Sequence, residues 1–175
     1  VKAPRVTNVL RTAGLIDTTW YTEEARERGT AVHAATAYLD EGKLDETALD
    51  PRIVPYLDAY RAWKRGMAPR ILAIEIEVVG RGYVGHPDRV AEIDGSIWIV
   101  DLKSSASEED WHGVQLAAYA HAYKYHCNEP GLPRRANLYL LESGRYRFRE
   151  RTDWRDWVRF RQALEAALRA GSAAP

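Results

Sequence analysis

Gly85-His86-Pro87-Asp88 and, a hairpin later, Asp101-Leu102-Lys103 decide the reading of this chain. Between them run Arg89-Val90-Ala91-Glu92-Ile93, then Asp94-Gly95, then Ser96-Ile97-Trp98-Ile99-Val100. Asp-Gly between two apolar runs signals a two-residue β-turn. With that turn, Ile93 faces Ser96, and counting outward sets Asp88 opposite Asp101. Directly opposed side chains in an antiparallel pair stand roughly 4.5–5.5 Å apart at Cβ. Two carboxylates that close repel, and a divalent cation between them resolves the repulsion, because hard cations such as Mg²⁺ take oxygen ligands. Lys103 lies two residues past Asp101 and so points to the same face. Two acids and a lysine on one face suggest metal-dependent phosphodiester chemistry.

The rest of the chain sets bounds. Its 175 residues are 46% hydrophobic and 29% charged, the profile of one globular domain with a sizeable core. No apolar run approaches 18 residues, so no membrane span is expected. Val1-Lys2-Ala3-Pro4-Arg5 lacks the apolar stretch of a secretory leader. The single Cys127 excludes an internal disulfide and any iron–sulfur cluster held by four cysteines of this chain, and it fits a reducing interior. The formal net charge of zero argues against non-specific coating of nucleic acid but leaves room for a local positive groove. Most cations are arginines, which favour bidentate phosphate contacts, although any one of them is by default a solvated surface residue.

Thr7 to Ala13 reads as a short helix capped by Thr7 and stopped by Gly14. Thr22 caps a second helix, with Glu23 and Glu24 in its first turn, running to about Asp40 and ending at Gly42. A third helix, Arg52 to Lys64, is interrupted by Pro55 and closed by Gly66. Arg70 to Val79 alternates as a strand, with Leu72, Ile74, Ile76 and Val78 on one face and Glu75 and Glu77 on the other. The central hairpin follows, with strands near Tyr83–Ile93 and Ser96–Lys103. The second is apolar on both faces, as a covered central strand should be. Next come a helix from Trp111 to His126, a hairpin of Asn137–Leu141 and Tyr146–Glu150 around Ser143-Gly144, and a helix capped by Asp153 that reaches about Arg169 and frays from Ala170. The expectation is an α/β fold, a mixed central sheet flanked by helices. It divides into N-terminal helices (7–66), a catalytic sheet and helix (70–126) and a C-terminal hairpin and helix (136–169), within one domain, 1–175.

Other candidates compete with plainer readings. His33 follows Gly29 by one helical turn, and the glycine leaves room for a metal or phosphate to approach the imidazole. The plain alternative is a helix histidine packed on the sheet. Gln115 and Tyr119, one turn apart, can contact phosphate or hold Lys103, or simply form a half-buried face. Glu75 or Glu77 can assist a metal or support Lys103; one of the two is expected to be an ordinary edge residue. His86 and His112 lie near these motifs, whereas His121 and His126 read as ordinary helix residues. Trp20, Tyr21, Trp111 and Tyr83 can stack on bases or pack in the core.

In order, Gly29-x-x-x-His33, Glu75, Gly85-x-x-Asp88, Asp101-x-Lys103 and Gln115-x-x-x-Tyr119 resemble the motif series of the RecB-like branch of the PD-(D/E)XK nuclease superfamily. The opening Pro4-Arg5-Val6-Thr7-Asn8-Val9-Leu10 is similar to the start of small single-domain phage and mitochondrial exonucleases of that branch. The resemblance implies a restriction-endonuclease-like core. It implies Mg²⁺ or Mn²⁺, one or two ions, held by His33, Asp88, Asp101 and the Leu102 carbonyl. Lys103 would act on the attacking water and the charged phosphorane, Gln115 and Tyr119 would position the phosphate and Lys103, and Glu75 would assist. It also implies a DNA substrate, as single strands or ends, and recombination or replication proteins as partners. A cytoplasmic setting, bacterial or phage-encoded, is expected, with a mitochondrial one as the alternative. The implied activity is exonucleolytic. A structure-specific or restriction-type endonuclease, or a non-catalytic DNA-binding module, are its rivals. Lacking the four cysteines of some branch members, this chain is expected to be free of a cluster.

Overall fold

The computed structural model describes residues 3–17, 19 and 21–172. Its elements are α1 (Val6–Thr12), α2 (Glu23–Asp40), α3 (Val54–Met67), β1 (Arg70–Ile74), β2 (Val78–Gly80), β3 (Tyr83–Gly85), β4 (Arg89–Ile93), β5 (Ser96–Lys103), α4 (Asp110–Cys127), β6 (Arg134–Leu140), β7 (Tyr146–Glu150) and α5 (Arg155–Ser172). The main sheet has the order β1-β4-β5-β6-β7; only β5 and β6 run parallel, joined by the crossover that carries α4. β2 and β3 form a separate two-stranded sheet.

Alternation along the strands creates two cores. Val90 and Ile99 face α1, α4 and α5, in a cluster with Leu10, Leu116 and Phe160. Ala91, Trp98, Val100 and Leu102 face α2 and α3, in a cluster with Val32, Leu57 and Trp63. Because β5 is covered on both sides, its central residues are apolar regardless of face. The central hairpin has the expected register: Ile93 pairs with Ser96 and Arg89 with Val100. Asp94 and Gly95 lie at φ 49° and 72°, the double positive φ of a type I′ turn.

Several local expectations need correction. Thr7 lies inside α1; Arg5 is the N-cap and makes no side-chain capping bond. Pro55 does not interrupt α3 but sits in its first turn, where a missing N–H costs nothing, and the helix runs through Gly66 to stop at Ala68, φ 44°. Arg70–Val79 is not one strand. A bulge between Ile71 and Ala73 shifts the alternation and leaves Leu72 exposed, and Glu75 at φ 47° breaks the chain direction, so Val78 joins the small sheet. The strand expected over Tyr83–Ile93 is likewise divided after Gly85. α5 stays helical through Ser172. The expected caps hold elsewhere: Thr22 Oγ1 accepts from Ala25 N–H at 3.2 Å and Asp153 Oδ1 from Arg155 N–H at 2.9 Å.

Candidate active site

Asp88 sits one residue before β4, just past the last rung it shares with β5. Leu102 therefore has no β4 partner, and its N–H donates to Asp88 Oδ2 at 2.6 Å. A strand residue projects its N–H and C=O toward the same edge, so the Leu102 carbonyl also faces the Asp88 side. The Asp88 backbone is held twice, its carbonyl accepting from Glu75 N–H at 3.0 Å and from Arg89 Nη1 at 2.8 Å. Arg89 is fully buried. It donates to Asp40 at 2.7 Å and to Thr36 at 3.1 Å, tying the start of β4 to α2. That helix supplies His33, whose Nδ1 lies 3.3 Å from Asp88 Oδ1.

On β5, Asp101 is 3% exposed. Its Oδ2 takes two donors, Lys103 Nζ at 2.7 Å and Asn137 Nδ2 at 3.2 Å. Lys103 Nζ also donates to Gln115 Oε1 at 3.1 Å and lies 4.8 Å from the centre of the Trp111 ring. Gln115 Nε2 in turn donates to the Tyr119 hydroxyl at 3.0 Å. Gly85 makes this chain possible: a Cβ there would stand 2.6 Å from the Tyr119 ring. Gly29 has a lesser role, since a Cβ on it would meet Ser104 Oγ at an ordinary 3.5 Å.

His33, Asp88, Asp101, Lys103, Gln115 and Tyr119 line one cavity of about 580 Å³, with Tyr21, Arg26 and Arg28 at its α2 side and Ser104 and Ser105 at the end of β5. The electrostatics follow from burial and pairing. Asp88 holds the His33 imidazole up at about 9, against burial, which lowers it. Burial would push the Asp88 carboxyl up, but His33, Lys103 and the Leu102 amide outweigh it and hold Asp88 below the usual carboxylate range. For Asp101 burial wins over the Lys103 charge, and the carboxyl is pushed up. Burial also drives the Tyr119 phenol far up, so it stays a neutral hydroxyl.

The donor set of one imidazole, two carboxylates and a backbone carbonyl suits a hard divalent ion. Both hydrogen bonds to Asp101 fall on Oδ2, which leaves Oδ1 for a ligand. The fit is one of donor chemistry. Among the described residues no three His, Cys, Asp or Glu side chains are closed round a single point: His33 and Asp88 face each other, while Asp101 Oδ2 is turned to Lys103.

The structure thus brings together His33, Asp88, Asp101, Leu102, Lys103, Gln115 and Tyr119. Glu75 is exposed and contributes its backbone to Asp88; its side chain lines a neighbouring cavity of about 600 Å³ that shares Gly29 and His33. Glu77 turns away to His86, 3.3 Å distant. Neither is a partner of Lys103, which Asp101 and Gln115 hold. Tyr83 is buried and donates to the Ala118 carbonyl at 2.8 Å, so it is core and cannot stack on a base. Tyr21 and Trp111 do line the cavity, and Trp20 lies outside the described residues.

Sequence reasoning missed the support behind Asp101. Asn137 is fully buried, and its Oδ1 accepts from Arg151 Nε at 2.9 Å. Arg151 also donates to the Tyr139 hydroxyl at 2.7 Å, which lies 2.9 Å from His112 Nδ1. The sequence does hold one signal: Asn137 is the one amide in the run Ala136-Asn137-Leu138-Tyr139-Leu140, and a buried amide needs partners.

With this geometry in hand, the comparisons decide the family. The model of the PD-(D/E)XK nuclease superfamily matches residues 22–174. The chain belongs to the PD-(D/E)XK nuclease superfamily. Among solved structures, an alkaline exonuclease from Laribacter hongkongensis, LHK-Exo, is 10% identical with a TM-score of 0.51, over 94% of this chain and 87% of that one. The same exonuclease in complex with dAMP gives 12% identity and a TM-score of 0.45, over 98% and 88%. The crystal structure of SSO0001 gives 18% and 0.40, over 93% and 75%. Comparison with curated proteins gives no match. The mixed five-stranded sheet flanked by helices is the restriction-endonuclease-like fold. Nucleases of this superfamily generally use divalent metal ions. Among the described residues no helix is long and apolar enough to cross a membrane.

Proposed function

We propose that this chain is a metal-dependent DNA exonuclease working from ends or single strands in replication, recombination or repair, with the whole site inside one domain. The observation that carries the reading is the placement of Lys103 Nζ, between Asp101 Oδ2 at 2.7 Å and Gln115 Oε1 at 3.1 Å, in a cavity shared with Asp88 and His33. The fold shared with an alkaline exonuclease favours the exonucleolytic version.

His33, Asp88, Asp101 and the Leu102 carbonyl would hold Mg²⁺ or Mn²⁺. When bound, the ion supplies Lewis-acid stabilisation and a more acidic water. Lys103, fixed by two acceptors, presents its remaining N–H to the attacking water and to the oxygens that gain charge as the new P–O bond forms and the old one breaks. Gln115 and Tyr119 hold Lys103 from the α4 side and offer neutral donors to the phosphate. Glu75, at the rim beside His33, assists from outside the first ring of contacts.

End-labelled linear and circular DNA, single- and double-stranded, incubated with Mg²⁺ or Mn²⁺, test the reading, with Lys103→Ala and Asp101→Ala as controls. Release of nucleotides from linear substrates alone is expected. Cleavage of circles would make the chain an endonuclease, and tight binding without hydrolysis would make it a binding module.

A further inference from the structure

The sheet register carries the candidate site sideways onto a strip of arginines. β5 pairs with β6 so that Asp101 stands beside Asn137 and Lys103 beside Tyr139. β6 pairs with β7 so that Asn137 stands beside Arg149 and Tyr139 beside Arg147. Paired residues share a face, so two rows, Asp101–Asn137–Arg149 and Lys103–Tyr139–Arg147, cross the sheet on the α4 side. Arg151 extends the strip by a further step, its N–H bonded to the Arg135 carbonyl. Two strand spacings, about 10 Å, separate the Lys103 position from the Arg147 position.

The strip carries more positive charge than its surroundings neutralise. Arg147, Arg149 and Arg151 all turn toward one carboxylate, Glu108, at 3.7, 3.6 and 3.4 Å. Glu150 takes no part, because it lies on the opposite face, paired with Arg134. Arg151 is spent on Asn137 and Tyr139 and is only 17% exposed, whereas Arg147 and Arg149 are 48% and 62% exposed. Glu108 belongs to the loop that follows Lys103 and lines the cavity with Ser104, Ser105 and Ser107, and Arg147 donates to the Ala106 carbonyl of that loop at 2.6 Å. Arg147 and Arg149 therefore sit on the edge strand of the sheet, beside the loop that lines the cavity, with about half or more of each side chain exposed.

We infer that Arg147 and Arg149 form a phosphate-binding strip for the DNA strand whose reacting phosphate lies at Lys103. The strand would leave the cavity past the loop that follows Lys103 and lay its next phosphates on β7, where Arg147 covers the buried Tyr139 ring at 5.0 Å. The idea rests on the nuclease reading for its substrate but makes a separate claim about binding. Arginine forks suit phosphate oxygens, and each contact to a single strand adds about 0.7 to the slope of log K against log salt.

The test is fluorescence anisotropy with a fluorescein-labelled 20-nucleotide single strand, in EDTA to prevent hydrolysis, across a NaCl series. Wild type, Arg147→Gln/Arg149→Gln and Arg147→Lys/Arg149→Lys are compared, with thermal melts of each. The double glutamine variant should bind more weakly and lose about 1.4 from the salt slope, two contacts' worth. The lysine pair, keeping point charge, should retain most of the slope. Because both side chains are largely exposed, melting should change little; if the double variant does not fold, Arg149→Gln alone should lose about 0.7. An unchanged slope in the glutamine variants, or no binding by wild type, overturns the strip. A wild type that hydrolyses DNA while the variants keep its slope leaves the nuclease reading standing without the strip. A lowered slope in a protein that hydrolyses nothing supports the strip and removes the nuclease reading.

Discussion

Asp101 is a buried carboxylate whose one oxygen takes both Lys103 and Asn137, and that sharing makes its neighbours unequal in their effects. Lys103 is at the cavity surface, 17% exposed, so Lys103→Ala should leave the fold intact. It removes the charge that opposes burial at Asp101, and the carboxyl should then move further up. Hydrolysis should fall by about 10²-fold or more, the usual scale for loss of a positioned donor in a transition state. Single-turnover assays measure that loss; a residual rate near wild type would remove Lys103 from the chemistry. Asn137→Ala acts differently. It strips a donor from Asp101 and an acceptor from Arg151 Nε, both in the interior. Leaving such groups unpartnered costs about 1–3 kcal/mol, so urea unfolding should show a loss in that range along with reduced hydrolysis. Full activity with only a stability loss would reduce Asn137 to a structural amide.

At the scale of elements, the site is a junction between the β4–β5 hairpin, α2 and α4, and Gly85 is where α4 meets the end of β3, just ahead of Asp88. Its φ is not positive, so the demand is steric: a methyl group would stand 2.6 Å from the Tyr119 ring, which lies in the core. Gly85→Ala should therefore destabilise by about 1–3 kcal/mol, the cost of overpacking, and should lower hydrolysis by displacing Tyr119 from Gln115. A thermal melt matching wild type would show that α4 yields freely. The same elements explain what sequence can and cannot tell. Asp94-Gly95 is local turn chemistry, so the hairpin register and the approach of Asp88 to Asp101 follow from the residues alone. Helix spacing places Gln115 with Tyr119 for the same reason. That His33 meets Asp88, however, depends on how α2 docks through Arg89 and Asp40; the family pattern supplies that pairing, and spacing cannot. The Arg70–Val79 stretch misleads because alternation persists in sequence through a bulge and through the positive φ of Glu75, neither of which needs a glycine. The Asn137–Arg151–His112 support is hidden because parallel pairing of β5 with β6 is set by a crossover, with no turn to count from.

For the whole molecule, histidines pull stability in opposite directions with pH. Burial holds His112 down to about 3, and His121 down to about 4, against an unfolded value of 6.5. Below 6.5 the unfolded chain takes up protons that the folded one refuses, so stability falls as pH drops toward 4. The slope reaches about 1.4 kcal/mol per pH unit for a fully buried group, and the partly exposed His121 contributes less. His33 behaves in reverse. Raised to about 9 by Asp88, it contributes stability that is fully present below 6.5 and is lost as pH rises through 9. Urea unfolding at pH 4.5, 7 and 9.5 should therefore show losses at both ends with different owners. His112→Asn keeps an acceptor for the Glu109 N–H and a partner for the Tyr139 hydroxyl while removing the titration, so it should flatten the acid limb alone. His33→Gln should flatten the alkaline limb alone. If His112→Asn leaves the acid limb as steep as wild type, the acid loss belongs to other groups, and the buried His112–Tyr139–Arg151 support is not what acid breaks first.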